Sequence, residues 1–243
     1  MSIRLADITS WTEELATILG SVNRKEVEEN TQRQFDSVDW FTERVCRLTA
    51  SNFGKIVRRQ RNFRTLVDDI MYKKPAAVPS LAFGRANEAK AVEQYKLLYP
   101  ALDIQECGLF VHPEQPFLAA SPDRVVINTL TGDRDRLPEV KFPSGIMMTP
   151  TAAAEQVRSF CLHKINGTVC LKKTHPYFWQ VLGQMACCCV NWCDFAVLSG
   201  GELFVEKVSF DSAAWDRAVS LLRRFYFEHH APELFYPGFV QEE

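Results

Sequence analysis

The chain has 243 residues and a mass of 27.8 kDa, long enough for one large domain and too short for three. Apolar types make up 47% and charged types 24%, with 17 Phe and 5 Trp, which excludes disordered, collagen-like, low-complexity and coiled-coil classes. Lys and Arg number 28 against 30 Asp and Glu, so net charge neither demands nor forbids a nucleic-acid partner and only its placement informs. No apolar run approaches the roughly 18 residues of a membrane span, and the start MSIRLADITSW lacks the apolar stretch of a secretory signal. A soluble, intracellular protein without a membrane partner is expected, with nucleus or cytoplasm left open. The eight cysteines, four of them at Cys187, Cys188, Cys189 and Cys193, form no paired CxxC or HxxxH spacing, so they read as reduced structural thiols.

One domain over residues 1–243 is expected: a helical extension over 1–40, a core over about 44–210 and a C-terminal helix over 211–230. From Thr49 the run TASNFGKIVRRQRNFR offers Thr49 and Ser51 as N-caps, then a helix with a basic tail of Lys55, Arg58, Arg59, Arg61 and Arg64. Such a face can take phosphate or simply be solvated. A long helix is predicted from Ser80 to Tyr99, stopped by Pro100. From Ile104 short β-rich runs follow, read as a small antiparallel meander with a turn at Thr131-Gly132. Thr149-Pro150 and His175-Pro176 start two further helices, the second reading on through YFWQVLGQMACCCVNW. Asn166-Gly167-Thr168 is read as a turn, and the strands FAVLSG and ELFVEKVSF turn at Gly200-Gly201. Asp211 caps the closing helix. Helices before and between the strands predict an α/β architecture with a mixed central sheet flanked by helices.

The chemistry gathers in the middle of the chain. On the Ser80–Tyr99 helix, Leu81, Gly84, Glu88, Val92, Tyr95 and Tyr99 share a face, which sets Glu88 in an apolar stripe. A carboxylate there needs a cation, a metal or a raised pKa, unless it reaches solvent at the stripe's edge. In LPEVKF, strand alternation puts Glu139 and Lys141 on one face. If the chain turns at 131, Asp123 lies opposite Glu139, two carboxylates at roughly 5 Å that a hard divalent cation would reconcile. Mg²⁺ is expected before Ca²⁺ or Zn²⁺, since no His belongs to the cluster.

Glu88, Ser121-Pro122-Asp123 and Glu139-Val140-Lys141, in that order on a hairpin, resemble the PD-(D/E)xK nuclease superfamily. With Leu48-Thr49-Ala50-Ser51, Phe53-Gly54, Phe83-Gly84-Arg85, Glu139-Val140-Lys141-Phe142-Pro143 and Tyr177-Phe178-Trp179-Gln180-Val181 to Gln184-Met185, the chain resembles the YqaJ-like viral recombinase family, which includes phage lambda exonuclease, from about Arg44 to Met185. Arg124 stands where the family usually has Gly, Arg134 and Arg136 lengthen the hairpin, and 165–174 looks like an added excursion. The resemblance implies a restriction-endonuclease-like core in which Glu88, Asp123, Glu139 and the Val140 carbonyl hold Mg²⁺, with Mn²⁺ able to substitute. It further implies that Lys141 activates the attacking water and that Gln180 holds Lys141 or that water. Arg44 and Ser51 would receive a terminal 5′-phosphate, with Lys55 and Arg58 on the DNA-binding face. The implied activity is a 5′→3′ exonuclease on double-stranded DNA ends, leaving 3′ single strands for recombination or repair, with a homotrimer and a single-strand annealing protein as implied partners. The alternatives are an endonuclease of the same superfamily, on DNA or RNA, and a non-catalytic DNA-binding module that keeps the fold.

Overall fold

The computed structural model describes residues 5–72 and 78–238; the side chains of 5–12 and 78–85, Leu81, Phe83 and Arg85 among them, lie outside the described residues. Four short elements open the chain: α1 (Leu5–Gly20), α2 (Arg24–Asn30), a 3₁₀ turn at Gln34–Asp36 and α3 (Val38–Val45). Ser37 caps α3 by accepting from Trp40 N–H. Then come β1 (Leu48–Thr49), α4 (Ala50–Val57), α5 (Phe63–Met71) and the long α6 (Val78–Leu98). The strands β2 (Asp103–Gln105), β3 (Phe110–Val111), β4 (Leu118–Ala120), β5 (Val125–Ile127) and β6 (Arg134–Lys141) follow. The chain closes with α7 (Pro150–Gln156), β7 (Leu162–Ile165), β8 (Thr168–Leu171), α8 (Pro176–Cys188), β9 (Trp192–Ser199), β10 (Glu202–Ser209), α9 (Ser212–Phe225), a π-helical turn at Tyr226–His230 and α10 (Ala231–Phe235).

Sequence punctuation explains many boundaries. Thr149 and Asp211 accept from the backbone of the first turns of α7 and α9, and His175 Nδ1 accepts from Tyr177 N–H at the start of α8. Asn166 and Gly167 both have positive φ, 50° and 84°, the geometry of the two-residue turn that joins β7 to β8. Two expectations need correction. Helix α8 stops at Cys188 because Cys189 takes φ 58° and caps it, which leaves Cys189 exposed and Cys193 buried on β9. All eight thiols are free.

The expected meander is split between two sheets. β3 pairs antiparallel with β4, and β4 pairs parallel with β1, whereas β2, β5 and β6 join β9 and β10 in a five-stranded sheet ordered β10-β9-β6-β5-β2. β6 and β9 run parallel, Glu139 beside Phe195, while the other pairs are antiparallel. The central sheet is therefore mixed, with a parallel pair at its middle, as buried strands between helices favour. The β5–β6 register places Val126 opposite Arg136 and is broken by a bulge at Ile127.

Helices α4 and α8 pack together through two glycines. A Cβ on Gly54 would stand 2.5 Å from the Pro176 Cα, and one on Gly183 2.3 Å from the Phe53 ring. This close approach matters because α8 carries Gln180 and Gln184, and α4 begins at the cluster around Ser51. Gly54→Ala is expected to cost about 1–3 kcal/mol by overpacking against backbone, lowering the melting temperature by roughly 2–4 °C per kcal/mol. Calorimetry showing no change would mean that the two helices part without cost.

Candidate active site

Glu139 is only 1% exposed, and a buried charge is tolerated only with partners. β6 supplies the first: Lys141 Nζ lies 2.5 Å from Glu139 Oε1, as strand alternation predicts, and 5.0 Å from the Tyr177 ring centroid. α8 supplies the others. Gln180 Nε2 donates to Oε1 at 2.6 Å and Gln184 Nε2 to Oε2 at 2.7 Å, so both carboxylate oxygens accept from protein donors. Gln180 thus meets Glu139, where the resemblance implied contact with Lys141 or water. Gln184 lies one turn beyond Gln180, and that i+4 spacing was the available signal that it joins the site.

Asp123 reaches the same place without being a ladder partner. It precedes β5, and its Oδ2 accepts from Val140 N–H at 2.7 Å, so it caps the backbone between Glu139 and Lys141. Glu88 approaches from α6 with a side-chain hydrogen bond to Asp123. Although Glu88 is exposed as a residue, burial of its carboxyl and the nearby Glu139 charge raise its pKa. Asp123 is raised well above the ordinary carboxylate range by burial, then by Glu139. Burial alone would lower the Lys141 ammonium, but Glu139 and Asp123 overcome that and raise it.

Arg124 folds back onto the Asp123 carbonyl, 2.5 Å away, and pairs with Glu106 at 3.4 Å. Arg136 faces Asp194, and Arg134 donates to the Cys188 carbonyl. A cavity of about 360 Å³, with Gln34, Phe35, Glu88, Cys107 and Arg124 among its lining residues, opens beside the acids. Among the described residues no three acid, His or Cys side chains already converge as a metal cage. The donor chemistry nevertheless fits a hard divalent cation: three oxygen-bearing acids influence one another, two with raised pKa, around one ammonium.

A second cluster forms at the α3–α4 junction. Arg44 stands 4.0 Å over the Trp40 ring, and its Nη2 donates to Thr49 Oγ1 at 3.4 Å. Thr49 Oγ1 also neighbours Ser51 Oγ at 3.3 Å and Asn52 Nδ2 at 3.4 Å. Burial lowers the Arg44 pKa to about 10. Glu43, next to Arg44 on α3, pairs with buried Arg47, which also donates to the Pro116 carbonyl. The basic tail is partly spent: Lys55 pairs with Asp69 at 2.6 Å, and Arg64 with Glu233 at 2.5 Å. Arg58 is exposed.

Trp40 and Gln34, both missed in the sequence, join the clusters. Trp40 Nε1 donates to Ser121 Oγ at 2.8 Å, and Gln34 Nε2 donates to the Pro122 carbonyl at 3.0 Å. One indole therefore bridges Arg44 and the loop that carries Asp123.

Residues 39–191 match the model of the YqaJ-like viral recombinase domain family. The chain belongs to that family. Among solved structures it is similar to an alkaline exonuclease, LHK-Exo, from Laribacter hongkongensis, at 21% identity over 81% of this chain and 93% of that one, with a TM-score of 0.60. It is also similar to the Shutoff and Exonuclease Protein from Kaposi's sarcoma-associated herpesvirus, at 14% identity over 87% and 72% of the two chains, TM-score 0.56. A SOX–DNA complex matches at 14% identity over 90% and 74%, TM-score 0.60. A search of curated proteins gives no match. These likenesses show a restriction-endonuclease-like fold. No helix among the described residues is long and apolar enough to cross a membrane.

The raised carboxyls make a prediction with a definite sign. Folded protein holds protons that the unfolded chain releases, so metal-free stability falls as pH rises through and above the ordinary carboxylate range. In chelator, Asp123→Asn should melt at or a few degrees above wild type at pH 7, the difference vanishing towards about pH 4. Thermal melts across that range check it, and a variant less stable at pH 7 contradicts it.

Proposed function

We propose that this protein is a divalent-metal-dependent deoxyribonuclease, a 5′→3′ exonuclease on double-stranded DNA ends that leaves 3′ single strands for recombination or repair. The observation that carries this reading is Arg44, half-buried, without a carboxylate partner among the described residues, and one indole away from the loop of Asp123. A guanidinium beside hydroxyls suits a terminal phosphate monoester. Family membership supports the nuclease class.

Glu88, Asp123, Glu139 and the Val140 carbonyl would hold Mg²⁺ or Mn²⁺. When bound, such an ion lowers the pKa of water and neutralises charge developing on the phosphate. Lys141, kept protonated by its acidic neighbours, stabilises that charge and orients the attacking water. Gln180 and Gln184 keep Glu139 aligned. Arg44 and Ser51 hold the 5′-phosphate so that the next phosphodiester lies at the acids, which is positioning rather than chemistry. Arg58 remains available to the duplex backbone, whereas Lys55 must share its charge with Asp69.

Labelled duplexes test the direction, and a covalently closed circle tests the need for an end. The 5′-labelled strand should be shortened from its 5′ end with Mg²⁺ and the circle spared; cutting of the circle would favour the endonuclease. Asp123→Ala or Glu139→Ala should leave less than a tenth of wild-type cleavage because each vacates an oxygen ligand, Asp123→Ala with the fold intact and Glu139→Ala with a lowered melting temperature, since it strands the Lys141 ammonium and two amides. Lys141→Ala should lower turnover much more than DNA affinity. Equal losses would make it a simple phosphate contact.

The wild type should prefer 5′-phosphorylated over 5′-hydroxyl ends by roughly ten- to a hundredfold, the worth of a charge-assisted contact. Arg44→Ala should bring that ratio towards one by slowing phosphorylated ends. Equal slowing of both ends would remove the pocket.

A further inference from the structure

The end of the chain packs against the Arg44 cluster. Between α9 and α10, Tyr226–His230 form a π-helical turn, a geometry that recurs at functional sites. The buried Tyr226 donates its hydroxyl to the Cys46 carbonyl at 2.7 Å and so fastens the end of α3, whose last turn carries Arg44.

His230, four residues after Tyr226 and the last of the π-helical turn, is 2% exposed and lines a cavity of about 200 Å³. Arg44, Thr49 and Asn52 share the wall, with Phe41 and Met71 among its apolar part, and no acid lines it. Neither ring nitrogen of His230 has a hydrogen-bond partner in good geometry, although buried polar groups are nearly always paired. Burial holds the ring pKa down to about 4, opposed by a loose contact with the Val45 backbone. The ring is neutral at physiological pH and offers one N–H. Asn52 makes only a long 3.4 Å contact with Thr49. Cation, amide, hydroxyl and imidazole donors thus border one space that no carboxylate among the described residues lines.

We propose that His230 and Asn52 are further ligands of the terminal 5′-phosphate, completing the pocket of Arg44 and Ser51. This rests on the end-recognition reading above and extends it to a segment 179 to 186 residues further along the chain, outside the matched family domain. A phosphate dianion is rich in acceptors and would satisfy the imidazole N–H and the amide together in better geometry than the protein provides. An internal phosphodiester has fewer free oxygens and a single charge to offer these donors, so the pocket would act on specificity and not on bond cleavage.

Phosphorylated and hydroxyl-ended duplexes, digested by wild type, Arg44→Ala, His230→Phe, His230→Gln and Asn52→Ala, test this, with KM, kcat and melting temperature measured for each. His230→Phe and Asn52→Ala should each lower the phosphate preference by about five- to tenfold, through KM for phosphorylated ends. His230→Gln, which keeps an N–H donor, should recover part of it. If both substitutions keep the wild-type ratio while Arg44→Ala collapses it, this inference falls and the Arg44 pocket stands. Absence of any phosphate preference in the wild type overturns both. If His230→Phe does not fold, the Asn52→Ala ratio decides.

Discussion

The constraint on which the site depends is the burial of the Glu139 carboxylate at the middle of the central sheet. A charge in that position is costly unless donors surround it. Its three donors come from two elements, Lys141 on the same strand and Gln180 and Gln184 on α8. The position of α8 over β6 is therefore an electrostatic requirement as well as a packing one. The close approach at Gly54 and Gly183 sets α4 against α8, and through it the Ser51 end of α4 is fixed relative to Glu139.

Charge economy separates Arg44 from the other cations near the site. The chain is nearly balanced overall, and most of its cations near the site are paired: Arg47 with Glu43, Lys55 with Asp69, Arg64 with Glu233, Arg124 with Glu106. Arg44 has an aromatic face and a hydroxyl instead, neither of which neutralises it. A half-buried guanidinium so placed keeps its attraction for an external anion. Trp40 makes that anion's position relevant to the acids, because the same indole that lies under Arg44 is tied to Ser121.

Much of this was legible locally. Helix starts at Thr149-Pro150, His175-Pro176 and Asp211, turns at Asn166-Gly167 and Gly200-Gly201, and the shared face of Glu139 and Lys141 all depend on residues within a few positions of one another, whose capping, φ preference and strand alternation act over that range. The prediction that Asp123 faces Glu139 was right about neighbourhood and wrong about form. A symmetric turn brings 123 towards 139, but β5 begins only at Val125, so Asp123 binds the Val140 N–H from a loop.

By itself the sequence determined the element types, the acid–lysine motif and the family to which the chain belongs. Only tertiary structure decided that β6 lies parallel to β9, that β3 and β4 leave the expected meander to join β1, that Gln184 serves Glu139, that Lys55 is neutralised by Asp69, and that Trp40 and His230 meet the Arg44 cluster. These outcomes join residues far apart in the chain. Each is selected by which buried charge or polar group finds a partner once the sheet and helices have assembled, and no local spacing carries that information.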